Sequence, residues 1–196
     1  MRMACLLPAA GASSRMRGAD KLLEDVGGQP CLALMASRAL AAGMEVFATL
    51  PSLDHPRARA LTALDVALIP VPNAAHGMSA SLRAGAAAMP EGVEAMMVLP
   101  PDMPSLETSD LKQLVAAYAG DPEGILQATC RDGTPGHPVI FPRACLSGFS
   151  DLSGDQGAAP ILKSHKAQLR FHALDGQKAR LDLDTPEEWS AWRASL

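Results

Sequence analysis

The sequence predicts an α/β fold, with a mostly parallel central sheet covered by helices on both faces. Short apolar runs alternate with longer amphipathic ones, the order that strand–helix–strand units produce. The run Ala95–Leu99 (AMMVL) is apolar without interruption, as a strand in the middle of a parallel sheet must be when both its faces are buried. The chain has 196 residues, 48% hydrophobic and 19% charged. That is long enough to bury a core without metal or disulfide staples, and too apolar for disorder. Residues 1–196 are therefore expected to form one domain.

Ala4–Leu7 reads as the first buried strand, stopped by Pro8. A polar loop rich in Gly, Ser and Arg follows from Ala9 to Asp20. Cys31–Ala42 is a helix, with Pro30 at its opening and Gly43 just past its end. Met44–Leu50 is a strand, Arg57–Leu64 a short helix and Val66–Val71 another strand. Met78–Met89 is an Ala-rich helix with Ser79 and Ser81 in its first turn. After the Ala95–Leu99 strand come a helix over Leu106–Tyr118, a strand over Ile125–Cys130 and a short strand over Val139–Phe141. Gly157–His165 is a helix, and Gln168–His172 and Leu181–Leu183 are strand candidates. In the terminal helix, Pro186–Ser195, Thr185 is the N-cap, and Glu187 and Glu188 place negative charge at the positive end of the helix dipole. Ligands of such sheets sit beyond the carboxyl ends of the strands. That singles out the segments after Leu7, Val71, Leu99 and Leu183.

Seventeen Lys and Arg against twenty-one Asp and Glu give a net charge of −4, and only 4% of the chain is aromatic. There is no basic surplus for a phosphate backbone and no set of stacking platforms, so a dedicated nucleic-acid binder is excluded. Cys5, Cys31, Cys130 and Cys145 form no CxxC pair, which points to reduced, structural thiols and away from zinc or a redox motif. The first apolar run ends too early for a secretory leader, and no stretch approaches the roughly 18 apolar residues of a membrane span. The expected location is the cytoplasm, with no membrane partner.

The segment Pro8–Lys21 (PAAGASSRMRGADK) is the first candidate site. Gly11 allows a tight turn, the polar residues after it leave backbone N–H groups to ring an anion, and Arg15 and Lys21 add two full charges. The set suits a triphosphate, and it also fits a solvated loop with scattered charges. It is no Walker A loop, because Met16 stands five positions after Gly11. It is no dinucleotide fingerprint, because Ala12 and Ser13 follow Gly11. Asp102, in LPPDMP, comes directly after a buried strand and so sits at the carboxyl edge of the sheet. A hard oxygen ligand there can meet Mg²⁺ bound to phosphates; the alternative is a cap for the helix near Leu106. Ser79 and Ser81 can cap their helix or donate to the edge of a base. His137 is either a base or a packed loop histidine, and Asp155 either meets an acceptor with its helix or is an N-cap.

AAGASSRMRGADK resembles the signature loop of the MobA-like nucleotidyltransferases, roughly AAGxSxRM followed by Gly and Lys. Ala9, Ala10, Gly11, Ser13, Arg15, Met16, Gly18 and Lys21 carry the resemblance, with Arg17 lengthening the loop. Asn73 and the run His76–Leu82, with Gly85, resemble the family's NxxxGMSxSLxxG element. Leu99–Pro104 resembles its DMP element, Gly136–Val139 its GxPV segment, Gly154–Ala158 its GDxGA turn and Leu183–Glu188 its terminal DTPED element.

The resemblance implies a three-layer, Rossmann-like nucleotidyltransferase fold and a Mg²⁺-dependent enzyme. Residues 1–105 would be mainly the NTP-binding half and 106–196 mainly the acceptor-binding half. It implies catalytic roles for Arg15, Lys21 and Asp102, and Asp102 and Asp184 as metal ligands. Ala9, Ala10, Gly11, Ser13, Ser14, Arg15, Lys21, Asn73, Gly77, Ser79 and Ser81 would bind the nucleotide, and His137, Gly154 and Asp155 the acceptor. The Ala-Ala-Gly opening is more similar to the cytidylyl-transferring branch than to the guanylyl branch with its Gly-Gly. CTP and the terminal phosphate of molybdopterin are then the implied substrates, with a client molybdoenzyme or its chaperone as partner. Guanylyl transfer, transfer to a sugar or polyol phosphate, and a non-catalytic assembly factor are the alternatives.

Overall fold

A computed structural model describes residues 1–74 and 77–196; His76, part of the second motif, lies outside the described residues. The seven-stranded central sheet runs in the order β5-β4-β1-β6-β8-β7-β9. Its strands are β1 (Met3–Pro8), β4 (Glu45–Leu50), β5 (Val66–Pro70), β6 (Ala95–Val98), β7 (Ile125–Thr129), β8 (Pro135–Pro142) and β9 (Leu169–Ala173), while β2 (Asp25–Val26) and β3 (Gln29–Pro30) form a separate small hairpin. The helices are α1 (Cys31–Ala41), α2 (Pro56–Ala60), α3 (Met78–Ala87), α4 (Thr108–Ala119), α5 (Ala159–Ser164) and α6 (Pro186–Ala194).

The central strands are apolar throughout because each face meets its own helical layer. In β1, Cys5 and Leu7 join a core with α1, α4 and α6, while Ala4 and Leu6 join a second core with α3, α5 and the 3₁₀ segment Arg143–Asp151. In β6, Ala95 and Met97 face the first core, and Met96 and Val98 the second. This is period-two alternation with no polar side, hence the unbroken AMMVL run. Leu6 packs so closely on α3 that only a glycine, Gly85, fits opposite it. The four cysteines are buried and unpaired. Among the described residues no helix is long and apolar enough to cross a membrane.

One strand departs from the parallel pattern. β8 runs antiparallel to both β6 and β7, with Val98 opposite Val139. Its reversal brings its first residues, Pro135–His137, to the edge where the parallel strands end, and so delivers His137 to the site. Several expected bounds also shift. The second helix stops at Ala60 instead of Leu64, the strand expected over Val139–Phe141 extends to Pro135–Pro142, and the helix expected from Gly157 starts at Ala159. Leu181–Leu183 forms no strand. A 3₁₀ turn over Lys178–Arg180 precedes it, and the Leu183 N–H donates to the Asp102 carbonyl at 3.0 Å, tying the segment to the loop after β6.

Candidate active site

The loop after β1 wraps without becoming floppy. The Ala9 N–H donates to the Thr49 carbonyl at 3.0 Å, extending the sheet by one residue. Ser13 and Arg17 both take left-handed backbone conformations, at φ 50° and 52°, on either side of a 3₁₀ turn over Ser14–Met16 anchored by buried Met16. Asp20 caps the next 3₁₀ turn, Lys21–Leu23, accepting from the Leu22 N–H at 3.0 Å. Among the described residues no backbone acceptor lies on the N–H groups of Ala10, Gly11, Ala12 or Ser13, and successive N–H groups of this kind can meet an anion.

Lys21 faces two acids from distant parts of the chain. Its Nζ donates to Asp102 and, at 2.6 Å, to Asp184 Oδ1. Arg15 reaches the other oxygen of Asp184 at 2.7 Å. Each acid is fixed from behind. The loop carrying Asp102 is held by Arg38, whose Nη1 donates to the carbonyls of Pro104 and Leu106 at 2.7 Å, and by the Cys31 thiol on the Pro101 carbonyl. Glu188 accepts from the N–H groups of Asp184 and Thr185 at 2.8 and 2.9 Å. Neither acid is a helix cap: Asp110 closes the start of α4 by accepting from the Glu107 N–H, and Thr185 caps α6.

Asp182 completes a cluster with Asp102 and Asp184 in which one oxygen from each lies within 4.8 Å of the others. Asp102 Oδ1 is buried and has no hydrogen-bond partner among the described residues, an expensive arrangement unless a cation meets it. Three carboxylates with one orphaned oxygen fit a hard divalent ion such as Mg²⁺ or Mn²⁺. Burial alone would lower the Lys21 pKa, but Asp102 and Asp184 override it and hold the ammonium above its ordinary value. Burial pushes Asp184 up, yet Lys21 and then Arg15 bring it below the usual carboxylate range. Asp182, with no such cation, is pushed up by burial and by its two acidic neighbours.

The wall opposite the loop is the start of α3. Gly77 has φ +93°, and a Cβ there would lie 2.7 Å from the Gly154 carbonyl oxygen and against the Asp155 carboxylate. Asp155 accepts from the Met78 N–H at 3.2 Å, and Gly154 from the Ser79 N–H at 3.2 Å. Asp155 thus caps α3, and not its own helix, whose first turn has no side-chain cap. Ser79 and Ser81 do not cap α3 either; both are buried, and Ser79 Oγ has no partner among the described residues. Asn73 lies exposed in the turn after β5. Replacing Gly77 by Ala adds backbone strain to a clash, and is expected to destabilise the fold by about 2–4 kcal/mol. Urea unfolding reads this directly, and an unchanged midpoint would remove the close approach from the account.

Among the described residues four cavities meet around this loop, one of them joining Arg15, Lys21, Asp102, Asp182 and Asp184 to His137. The polar one is lined by Gly11, Ser13, Arg15, Lys21, Asp102 and Asp184. An apolar one continues past Met78 and Pro100 to Leu82, Val139, Phe141 and Leu162, with Gln127, His137 and Asp155 among its polar groups. The last lies behind the loop, between Ala10, Ala12, Pro51, Arg57, Val71 and Ala74. His137 is exposed at the mouth of the apolar cavity, where partial loss of water lowers its pKa and the Asp102 charge acts in the opposite direction.

A family model for the MobA-like NTP transferase domain matches residues 5–169, from β1 to β9. The chain belongs to the MobA-like NTP transferase family. A curated relative, the purine catabolism protein PucB of Bacillus subtilis, is 31% identical over 124 residues, a match covering 62% of this chain and 56% of PucB. The match thus spans little more than half of that relative's length. Among solved structures, Rv0371c of Mycobacterium tuberculosis superposes with a TM-score of 0.84 at 24% identity, covering 98% of this chain and 97% of that one. Rv0371c has also been solved in complex with manganese. A CMP:2-keto-3-deoxy-manno-octonic acid synthetase complexed with CTP superposes with a TM-score of 0.78 at 18% identity, covering 100% and 98%. These structural likenesses establish the nucleotidyltransferase fold.

Of the expected site residues, Gly11, Ser13, Ser14, Arg15, Lys21, Asp102 and Asp184 line one cavity, Asp155 and His137 line the apolar one, and His137 also shares a cavity with Arg15, Lys21, Asp102 and Asp184. Ser79 and Ser81 line none of these. Three residues went unread. Asp182 was signalled by the alternation of Leu181-Asp182-Leu183-Asp184, which puts both acids on one side of an extended segment while Leu183 is buried. Gln127 interrupts an apolar strand, and its amide donates to the Gly136 carbonyl at 3.0 Å. Arg57 is 2% exposed and pairs with Asp20 at 2.8 Å.

The Arg57–Asp20 pair has a pH signature. Burial would raise the Asp20 carboxyl, but Arg57, helped by the Leu22 N–H and the Ser13 hydroxyl, brings it below its ordinary value. A carboxylate lowered in the folded state adds stability above its unfolded pKa, about 3.9, and loses it as pH falls through the folded value. The stability of Asp20→Asn, measured by denaturant titration, is therefore expected to fall less steeply than wild type below about pH 4. Parallel acid limbs would contradict the pairing.

Proposed function

We propose that this MobA-like transferase moves CMP from CTP to the terminal phosphate of molybdopterin and releases pyrophosphate, with Mg²⁺ as its metal. The observation that carries the reading is the convergence of Asp102, Asp184 and Lys21 opposite the Gly11 loop. An acceptor phosphate oxygen attacks the α-phosphorus in line. A P–O bond forms to it as the bond to the bridging oxygen breaks, and pyrophosphate carries away the electron pair. Such a reaction needs position and charge neutralisation, with no nucleophilic side chain.

Asp102 and Asp184, with Asp182 beside them, would hold the ion. When bound, it supplies charge neutralisation at the α-phosphate and the leaving oxygens. Arg15, Lys21, Ser13, Ser14 and the Gly11 backbone bind the phosphates. The base lies behind the loop, near Ala9, Ala10 and Asn73, where small side chains leave room for a flat ring; Gly77, Ser79 and Ser81 shape the start of α3 beside it. The apolar cavity takes the acceptor. His137 can hydrogen-bond it, and Gly154 and Asp155 hold that wall against α3. Residues 1–105 thus serve mainly the nucleotide and 106–196 mainly the acceptor.

Leu82, Val139, Phe141 and Leu162 give the acceptor cavity an apolar floor that suits a flat ring system, with Gln127, His137 and Asp155 beside it for the ring's polar groups. The test is two-step. Thermal shifts with CTP, GTP, ATP and UTP, with and without Mg²⁺, are expected to be largest for CTP with the metal. Incubation with each acceptor and separation of products then identifies the transfer. A larger shift with GTP reassigns the nucleotide, product from a sugar phosphate reassigns the acceptor, and binding without any pyrophosphate release sinks the enzymatic reading.

A further inference from the structure

We propose that Arg57 is the positioning residue of the nucleotide loop: its buried guanidinium sets the curvature that turns the loop's amides toward the ligand. The proposal rests on the nucleotide reading above. All five N–H groups of the guanidinium are committed. Nε and Nη2 grip the two oxygens of Asp20, each at 2.8 Å. Nη1 donates to the carbonyls of Ala9 and Gly11 at 2.6 and 2.7 Å, and Nη2 to Ser13 Oγ at 2.9 Å. With the side chain 2% exposed, no donor remains for a ligand, so Arg57 acts through the loop.

The consequence follows from peptide geometry. In a trans peptide the C=O of one residue and the N–H of the next point in opposite directions. Drawing the carbonyls of Ala9 and Gly11 down onto Arg57 therefore aims the N–H groups of Ala10 and Ala12 away from it. The same guanidinium holds Asp20, which caps the turn that begins with Lys21. One buried group thereby sets both the amide array and the start of the segment that carries the lysine. The donor count explains why an arginine stands here: a lysine offers three N–H groups from a single point and cannot serve Asp20, Ser13 and two carbonyls together. Arg57 is itself fixed at the start of α2, where His55 Nδ1 accepts from its backbone N–H at 3.3 Å.

The experiment compares wild type with Arg57→Lys, Arg57→Met and Asp20→Asn. Nucleotide affinity is read by calorimetry without acceptor, and steady-state constants are read for both substrates. Arg57→Lys is expected to raise the nucleotide Kd and KM roughly tenfold while leaving the KM for the acceptor within about twofold, since misplacing binding groups by a fraction of an ångström carries costs of that order. Simple destabilisation would lower the active fraction, and hence kcat, without this split. Asp20→Asn, which loosens the clamp from its other end, is expected to move nucleotide affinity in the same direction, and carries the test if both arginine variants fail to fold. Wild-type nucleotide affinity in folded Arg57→Lys and Asp20→Asn would overturn the proposal. If the wild type binds no nucleoside triphosphate at all, the functional reading falls separately. Hydrogen exchange over residues 9–20 then judges the clamp: faster exchange in Arg57→Lys supports it, and an unchanged rate overturns it.

Discussion

Asp102→Ala is expected to lower turnover by roughly three orders of magnitude while the protein stays folded. The size follows from what the position does. A metal site neutralising transition-state charge contributes several kcal/mol, and about 4 kcal/mol corresponds to roughly 10³ in rate. The survival of the fold follows from where the position is. Asp102 lies beyond β6 in a loop held by backbone contacts, through Arg38 on Pro104 and Leu106 and through the Leu183 N–H on the Asp102 carbonyl, all of which an alanine keeps. Lys21 retains Asp184 at 2.6 Å. Removal also relieves a buried oxygen that has no partner among the described residues. Asp102→Asn keeps the shape and removes the charge, and it should lose the same activity; Mn²⁺ binding followed by electron paramagnetic resonance should weaken in both. Near-normal metal-dependent turnover in either variant would take Asp102 out of the mechanism.

Much of this site could be read from the sequence because its parts are local. A loop rich in Gly and Ser after a buried strand, and an acid directly after an apolar run, are short-range patterns whose place at the sheet edge follows from strand–helix alternation. What escaped depends on long-range contact or on direction. Hydrophobic pattern is blind to strand direction, so Val139–Phe141 could not reveal that β8 runs against its neighbours and thereby brings His137 to the site. The alternation of Leu181-Asp182-Leu183-Asp184 looks like a strand because the segment is extended; its backbone partner is the loop at Asp102, not a strand. Asp155 reads as the cap of the helix that follows it, yet caps α3, because Gly77 lets the two loops approach. Arg57, in the short helix Pro-Arg-Ala-Arg-Ala, carries no local mark separating it from Arg59; only the closure of the loop over it makes one arginine buried and the other exposed.

Lys21→Met is expected to move the affinities for metal and for nucleotide in opposite directions, and that opposition identifies what the lysine does. In this structure its ammonium lies between Asp102 and Asp184 and neutralises them. A methionine of similar length leaves Arg15, itself exposed and placed on Asp184, as the one cation ion-paired with Asp102, Asp182 or Asp184 among the described residues. Carboxylates robbed of an internal counter-ion attract an external one more strongly. Mn²⁺ affinity without nucleotide should therefore rise, by about tenfold for each 1.4 kcal/mol of repulsion relieved. Without metal the melting temperature should drop, because a largely buried ion pair has lost one partner, and Mn²⁺ should restore part of it by mass action. The triphosphate, by contrast, loses a charged donor worth about 1.5–3 kcal/mol, a fall in affinity of roughly 10- to 100-fold. A lysine that served only to hold the two acids together would give the first effect without the second. One that pointed only at phosphates would give the second without the first. Loss of both affinities together would mean that the carboxylates had collapsed apart, and the convergence on which the site rests would then depend on Lys21 alone.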